Sequence, residues 1–425
     1  SREKVFRETQ QMMKKSEKIF FTLLKSELTG QPLLKEEKEN LFKNVTLEEW
    51  GTIADFATMH RVEPLLFEAL KLNPGIPVPK PVTAFLKDRT FQVSMCYYQL
   101  VQLTAELVHL LEAHHLSCYV LKGVGLCCLY PKEELRASGD IDIYVPDKDE
   151  FQFACRLIAQ NGGTEEKGFS NYHCNFQYEK DGMSCELELH RGLCAEYEKK
   201  FDRQITSIYE GVPKCAKEYR YPMGISIPVL PTTYSALYLL MHMFQHFMSK
   251  GFGVRLLCDW VLFWNHQAEL VDMEQFTGWI ESLHLEKFLS LVTEICVKNL
   301  GLNSKQCKGL TESELVKKNL PEKELESAFL EDLIQGGEFG KWDPKRMLIT
   351  TRAPGSVTYL RELHRQMKKR FPKACRIVVI WPILWIVTGI AFVYNNIRVR
   401  KVSTKEIMDS NEKRNKMVKK MEIFK

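Results

Sequence analysis

The sequence has no CxxC pair, no cysteine–histidine run with zinc-ligand spacing and no HExxH motif, although it holds 13 cysteines in 425 residues. Those absences exclude the usual structural zinc folds and the zinc-protease site. The odd, scattered cysteine count also argues against a disulfide framework. Cys127 and Cys128 are adjacent and cannot bridge each other without strain. Reduced, buried thiols are expected, and with no secretory pattern in the first residues the expected setting is the cytoplasm. Proline is sparse (17 residues) and no low-complexity tract occurs. The net charge of +5 is mild, because lysines and arginines are interleaved with acidic residues over most of the length. No basic stripe with interleaved aromatics lies near the candidate chemistry, which argues against nucleic acid as a partner.

What is present is ordinary globular composition, 45% hydrophobic and 27% charged, with a change of hydrophobic period along the chain. Residues 1–115 read as helices. Thr46 and Glu49 form a capping-box pattern, and Leu100, Leu103, Leu107, Leu110 and Leu111 recur at helical spacing. Residues 116–228 read as an α/β unit. Cys118 to Leu121 is a short strand, Leu126 to Tyr130 a short helix stopped by Pro131, and Asp140 to Val145 a half-buried strand ended by Pro146. A hairpin follows, from Cys174 to Glu179 and from Cys185 to His190, across a Lys180-Asp181-Gly182 turn. Residues 229–425 return to helical spacing and end in a basic tail from Asn396 that reads as a solvated helix. Gln335 to Gly340 is a loop signal.

Alternate strand residues share a face, so Asp140 and Asp142 point one way while Ile141 and Ile143 pack behind them. Two ionised carboxylates so close call for a cation between them, and a hard oxygen-seeking ion such as Mg²⁺ or Mn²⁺ suits the donor type. In Cys185 to His190 the residues Glu186, Glu188 and His190 share a face in the same way, and either glutamate could complete a three-carboxylate cluster. Solvent-facing acids on a one-sided sheet give the same pattern with no metal at all. The context adds weight to the metal reading. Gly123 and Gly125 lie in a turn between strand and helix, where backbone N–H groups can approach a phosphate, with Lys122 beside them and Arg136 leading into the acidic strand.

The runs Leu121 to Leu126, Tyr130-Pro131 and Arg136-Ala-Ser-Gly-Asp-Ile-Asp-Ile-Tyr-Val145 resemble the uncharacterised nucleotidyltransferase family of the polymerase-β-like superfamily. Glu188-Leu-His190 resembles that family's acidic–Leu–His strand, which selects Glu188 over Glu186. His242, His246, Gly253-Val-Arg255, Asp259-Trp260, the Gly337-Glu-Phe-Gly340 loop, and Trp50 with Ala54 and His60 resemble its helical signatures. One departure is the turn itself, Gly123-Val124-Gly125 where the superfamily has Gly followed by Gly or Ser.

The resemblance implies an α+β fold: a polymerase-β-like core with a small mixed sheet, flanked by helical regions. It implies a two-metal transfer of a nucleoside monophosphate from an NTP such as ATP to a hydroxyl or phosphate acceptor, which the sequence does not identify. Asp140, Asp142 and Glu188 are then the metal ligands, and Lys122, Gly123, Gly125, Arg136 and Ser138 the nucleotide contacts. A sugar phosphate or a peptide fits as acceptor. A non-catalytic nucleotide-binding module and a membrane-associated factor in surface-polysaccharide assembly are the alternatives.

His242 and His246 sit one helical turn apart and either contact phosphate or are buried and hydrogen-bonded. Arg255 and Asp259 have the same spacing and form an intrahelical ion pair, or leave Arg255 for a substrate phosphate. His173 and His190, beside the hairpin, are further candidates for substrate contact. Residues 377–394 are uncharged and apolar, at the lower limit for a membrane span. Basic residues on both sides favour a buried helix or one resting on the inner face of an anionic membrane. The resemblance also implies an apolar Pro/Trp stretch here, matched by Trp381-Pro-Ile-Leu-Trp385, which favours burial.

Overall fold

The computed structural model describes residues 13–338 except 167–172, 181–182, 194–198, 213–217 and 250. Beyond 338 it describes 345, 360, 363–364, 366–368, 370–372, 374–395, 398 and 401–423. The helices α1 (Lys15–Thr29), α2 (Lys35–Leu41), α3 (Leu47–Met59), α4 (Glu63–Leu72) and α5 (Lys80–Ala113) come first. The mixed region follows as β1 (Tyr119–Val120), α6 (Val124–Cys127), β2 (Asp140–Tyr144), α7 (Lys148–Gln160), β3 (Gly163–Glu165), β4 (His173–Lys180), β5 (Met183–His190), α8 (Lys199–Glu210), β6 (Glu218–Arg220) and β7 (Ile227–Val229). Then come α9 (Thr232–Ser249), α10 (Val254–Gln267), α11 (Met273–Ser282), α12 (Glu286–Asn299), α13 (Lys308–Thr311), α14 (Glu314–Lys318), α15 (Lys323–Gly336), α16 (Trp381–Asn395) and α17 (Thr404–Lys420).

Local chemistry explains the boundaries. Thr46 caps α3 by accepting from the Glu49 amide at 3.1 Å, while Glu49 Oε2 accepts from the Thr46 amide at 2.7 Å. Together these satisfy two donors that a helix start leaves open. The long α5 reaches two cores. Its early residues Val82 and Leu86 pack with α1 and α4, and its later ones, Leu100 to Leu111, pack under the sheet.

The sheet order is β3-β4-β5-β2-β1-β7-β6. β2 runs parallel to β5 and antiparallel to β1, β5 runs antiparallel to β4, and β1 runs parallel to β7, so the fold is mixed α+β. The hairpin registers from His173↔His190 to Lys180↔Met183, with Asp181 and Gly182 outside the described residues. Ile141, Ile143, Leu187 and Leu189 fill the core between the sheet and helices α5 and α7. At about 1.5–3 kcal/mol for each such side chain, that burial fixes which face of β2 and β5 turns inward. The opposite face is roofed by α9. A second core runs from α1 through α9, α10 and α12 to α17, so helices before and after the sheet share it.

Three expectations change at the C-terminal end. α17 is not simply solvated. Ile407, Asn411, Arg414, Val418 and Met421 form a buried stripe, and Arg414 donates to the Phe247 carbonyl at 2.6 Å. The lysine-rich composition hid this stripe because the charges occupy only the outer face. The apolar 377–394 stretch is not buried either. In α16 only Leu384 and Thr388 are, while Ile383, Ile386 and Ile390 are each more than 60% exposed. Of the Gln335 to Gly340 loop, Gly336 still belongs to α15 and Gly337 turns with φ +58°, and Phe339 and Gly340 lie outside the described residues.

One buried carboxyl yields a pH prediction. Glu27 of α1 is only 7% exposed. Its pKa is raised to about 7, first by burial and then by Glu68, against the pull of Lys132 and Lys71. The unfolded carboxyl titrates near about 4.5, so the folded chain binds the extra proton between the two values. Stability is therefore higher at acid pH and falls as pH rises from about 4.5 through 7. Glu27→Gln is expected to stabilise the protein by about 1–3 kcal/mol at pH 8 and to leave it unchanged near pH 4. Urea titrations at the two pH values check this.

Candidate metal and nucleotide site

β2 and β5 pair in parallel with Asp140 opposite Glu186 and Asp142 opposite Glu188. The alternation that sends Ile141, Ile143, Leu187 and Leu189 into the core therefore sends Asp140, Asp142, Glu186, Glu188 and His190 together to the α9 side. Asp142 is almost completely buried and Asp140 is partly open, with 31% of its side chain exposed.

Lys122, on the turn after β1, links the two aspartates. Its Nζ lies 2.7 Å from Asp140 Oδ2 and 3.1 Å from Asp142 Oδ2. Burial opposes its charge, but Asp142 and Asp140 outweigh that and hold the ammonium well above a lysine's usual range. Burial also works against the Asp140 charge, and Lys122 overcomes it, so the Asp140 carboxyl is held well below the usual range. Asp142 goes the other way. Its burial, helped by Asp140, raises it in spite of Lys122.

On the far side, His190 Nε2 lies 3.1 Å from Asp142 Oδ1 and 3.3 Å from Glu188 Oε2. Burial disfavours the imidazolium, yet the hydrogen bonds to Asp142 and Glu188 push His190 up to about 9. His190 in turn pulls Glu188 below the carboxylate range, against its burial. Asp142 Oδ2 is fully buried and is held by the 3.1 Å ion pair with Lys122 rather than by a hydrogen bond.

Among the described residues, Asp142, Glu188 and His190 form a group whose donor atoms all lie within 4.8 Å of one another. Asp140 stands outside that group, across Lys122. The carboxylate oxygens of Asp142 and Glu188 suit a hard divalent cation such as Mg²⁺ or Mn²⁺, which would take the place of the Lys122 and His190 charges now paired with them. Glu186 accepts from Asn175 Nδ2 at 3.1 Å and lies beyond this group.

The turn before the site is tight. Gly123 takes φ +60° and ψ −116°, a conformation that L side chains rarely adopt. A Cβ at Gly125 would stand 3.1 Å from the Val120 carbonyl and 3.3 Å from Val229 Cγ1. Both glycines let the turn lie against the strands, and Ser138 sits beside Gly123.

Arg136 is fully buried. It donates to Asp259 Oδ1 and Oδ2 at 2.9 and 2.8 Å and also to Ser138 Oγ. Tyr130 donates to the same Asp259 at 2.7 Å. Asp259 therefore serves Arg136 rather than Arg255, and the expected intrahelical pair is replaced by two longer-range pairs. Arg255 donates to Glu338 at 3.0 Å, and Arg61 Nε lies 3.4 Å from the same carboxylate. Helical spacing permits the Arg255–Asp259 contact, but Arg136 takes both oxygens of Asp259 and Glu338 takes Arg255.

His242 and His246 pack edge to face on α9 with their Nε2 atoms 3.0 Å apart. Burial lowers both, with Lys122 and Arg255 adding to it; His246 falls to about 3, so the pair is neutral. His173 stands opposite His190 in register, rings 6.2 Å apart. Sequence reasoning missed Tyr238, one turn before His242. It is buried and within electrostatic reach of Asp142, Lys122, Glu188 and Asp140. Its position four residues ahead of His242 on one helix face was the signal available. Arg61 was missed too, and its guanidinium lies against Gly139 at the entrance to β2.

A mixed sheet with an acidic, cation-seeking cluster on one face and a glycine turn at its edge defines the class: an α+β protein with a candidate hard-metal centre. The chain belongs to the uncharacterised nucleotidyltransferase family, whose model matches residues 46–301. That range contains β2, β5, α9 and α10, so the whole acidic cluster falls inside it. No curated protein and no solved structure matches the chain.

Proposed function

We propose that the chain transfers a nucleoside monophosphate from an NTP, with ATP as the first substrate to try, to a hydroxyl- or phosphate-bearing acceptor at the β2–β5 face. A polymerase-β-like core is part of this reading. The observation that carries it is the parallel register Asp142↔Glu188, which brings carboxylates from two strands to the turn that holds Lys122 and Gly123.

Asp140, Asp142 and Glu188 would hold Mg²⁺ or Mn²⁺. Cations held there would lower the pKa of the acceptor oxygen and offset the charge of the departing pyrophosphate. The acceptor oxygen forms a bond to the α-phosphorus while the bond to pyrophosphate breaks, and the acceptor proton leaves to solvent. His190 orients Asp142 and Glu188 by hydrogen-bonding both. Lys122 neutralises Asp140 and Asp142 and, from the same turn as Gly123, would be in reach of the triphosphate. Gly123 and Gly125 keep the turn low enough for backbone N–H groups to approach phosphate, and Ser138 adds a hydroxyl. Arg136 braces Ser138 from below, its guanidinium being committed to Asp259. His242, His246, His173 and Arg255 line the roof and rim as candidate substrate contacts. Positioning and electrostatics supply the catalysis, as in other phosphoryl transfers. The cytoplasm, where NTP is available, is the proposed site of action.

The test incubates the protein with labelled NTPs and cell extract beside an Asp140→Ala/Asp142→Ala variant. Label should move to an acceptor only with the unaltered protein. Equal labelling by both would remove the assigned site. No labelling by either, with equal Mg²⁺-dependent NTP binding by both, would favour a non-catalytic nucleotide-binding module.

A further inference from the structure

Residues 363–405 contain ten lysines and arginines and not one aspartate or glutamate. Within that stretch lies α16, beyond the part of the chain matched by the family. Its exposed residues Ile383, Ile386, Val387, Ile390, Val393 and Tyr394 follow i, i+3, i+4, i+7, i+10, i+11 spacing, a single outward stripe without a polar atom except the Tyr394 hydroxyl. Leu384 and Thr388 face inward. The turn leading in adds Ile377, Val378 and Val379, the last 87% exposed. Water is a poor solvent for so continuous an apolar patch, and such patches mark protein or membrane contacts. Around it, Lys368, Arg370, Arg376, Arg398, Lys401 and Lys405 are exposed.

The indoles tie the cationic segment to the helix. Trp381 Nε1 donates to the Cys375 carbonyl at 2.8 Å, and Trp385 Nε1 lies 3.2 Å from His364 Nδ1. The cationic segment that leads into α16 is therefore held against the helix. Pro382 falls in the first turn of α16, where a missing N–H costs nothing.

We propose that this surface seats in one leaflet of an anionic lipid bilayer, with α16 lying along the membrane and not crossing it. The 18-residue helical run Val378–Asn395 is long and apolar enough to cross, but one geometric fact opposes a crossing. The chain after α16 returns to the body it left. α17 packs on α15, Lys420 meets Glu322 and Glu324 at 3.1 Å, and Arg414 donates to the α9 carbonyl of Phe247. A crossing would place α17 and α15 on opposite sides of the bilayer. The lack of acidic residues matches an anionic headgroup layer, whose attraction adds with each cation near it.

The experiment is flotation of the purified full chain with phosphatidylcholine vesicles and with vesicles containing about one-third phosphatidylglycerol. The full chain should float with both and partition at least about tenfold more into the anionic ones. Ile386→Asp/Ile390→Asp should float with neither. Arg376→Glu/Arg398→Glu should keep the neutral binding and lose the anionic preference. These positions are exposed, and unchanged thermal melting shows that the variants fold. A C-terminal tag should remain open to protease added outside the vesicles. Absence of flotation with either vesicle, or equal flotation of the Ile386→Asp/Ile390→Asp variant, overturns the proposal. So does a protected tag, which would mean a crossing. A dimer that this variant disperses, with no vesicle binding, would assign the stripe to a second copy of the chain instead.

Discussion

Asp142→Asn should cost nucleotidyl transfer at least about a thousandfold while leaving the protein as stable as before, or slightly more so. The two halves come from the same geometry. Asp142 is buried beside Asp140, and its carboxyl is pushed up by that burial and by its neighbour, so its charge is held at a cost to the fold. An amide of the same shape removes the repulsion and can still accept from His190. What it cannot do is offer two anionic oxygens to a divalent cation. A residue kept for packing gives the opposite signature, lost stability with transfer falling only in proportion. Transfer rates with a labelled NTP and thermal melts on the same samples separate the two. Asp142→Asn with near-normal transfer would take this residue out of the centre.

Arg136→Ala should do the reverse and damage the fold first. The guanidinium is buried and spends its donors on both oxygens of Asp259 and on Ser138. Burial disfavours its charge, and Asp259 more than compensates, so its pKa is raised. Removing it leaves Asp259, only 2% exposed, with Tyr130 as its remaining hydrogen-bond partner. Breaking one side of such a pair typically costs about 3–5 kcal/mol, because a buried charge is left uncompensated. Urea unfolding should show a loss of that size, and Arg136→Ala/Asp259→Ala should recover part of it. If the single variant unfolds like the unaltered protein, Arg136 is not the brace described above and is available to phosphate.

The contrast between these residues also shows what the sequence could reveal. The Asp140–Tyr144 strand was legible because strand alternation alone decides that Asp140 and Asp142 share a face. The same rule grouped Glu186, Glu188 and His190. Choosing between the glutamates needed more, because the Asp142↔Glu188 register belongs to a parallel pairing of strands more than forty residues apart. Periodicity does not encode such a register. It also set His190 between Asp142 and Glu188, where the sequence allowed only a general contact role.

Long-range competition erased other readings. Arg255 and Asp259 satisfy the helical spacing rule, yet each found a better partner, Glu338 and Arg136, from elsewhere in the chain. The burial reading of the 377–394 stretch failed for a related reason. Hydropathy measures how apolar a segment is, not whether other parts of the chain cover it. The outward stripe of α16 and the inward stripe of α17 became distinguishable only once the exposure of the one and the packing of the other on α15 were known.

The most direct test of the acidic centre is Mn²⁺ binding followed by electron paramagnetic resonance, with a non-hydrolysable NTP analogue present. The unaltered protein should bind Mn²⁺ with the analogue, and Asp142→Asn and Glu188→Gln should each lose most of that binding while remaining folded. Mn²⁺ held equally well by all three would mean that β2 and β5 carry an acidic face with no metal to hold.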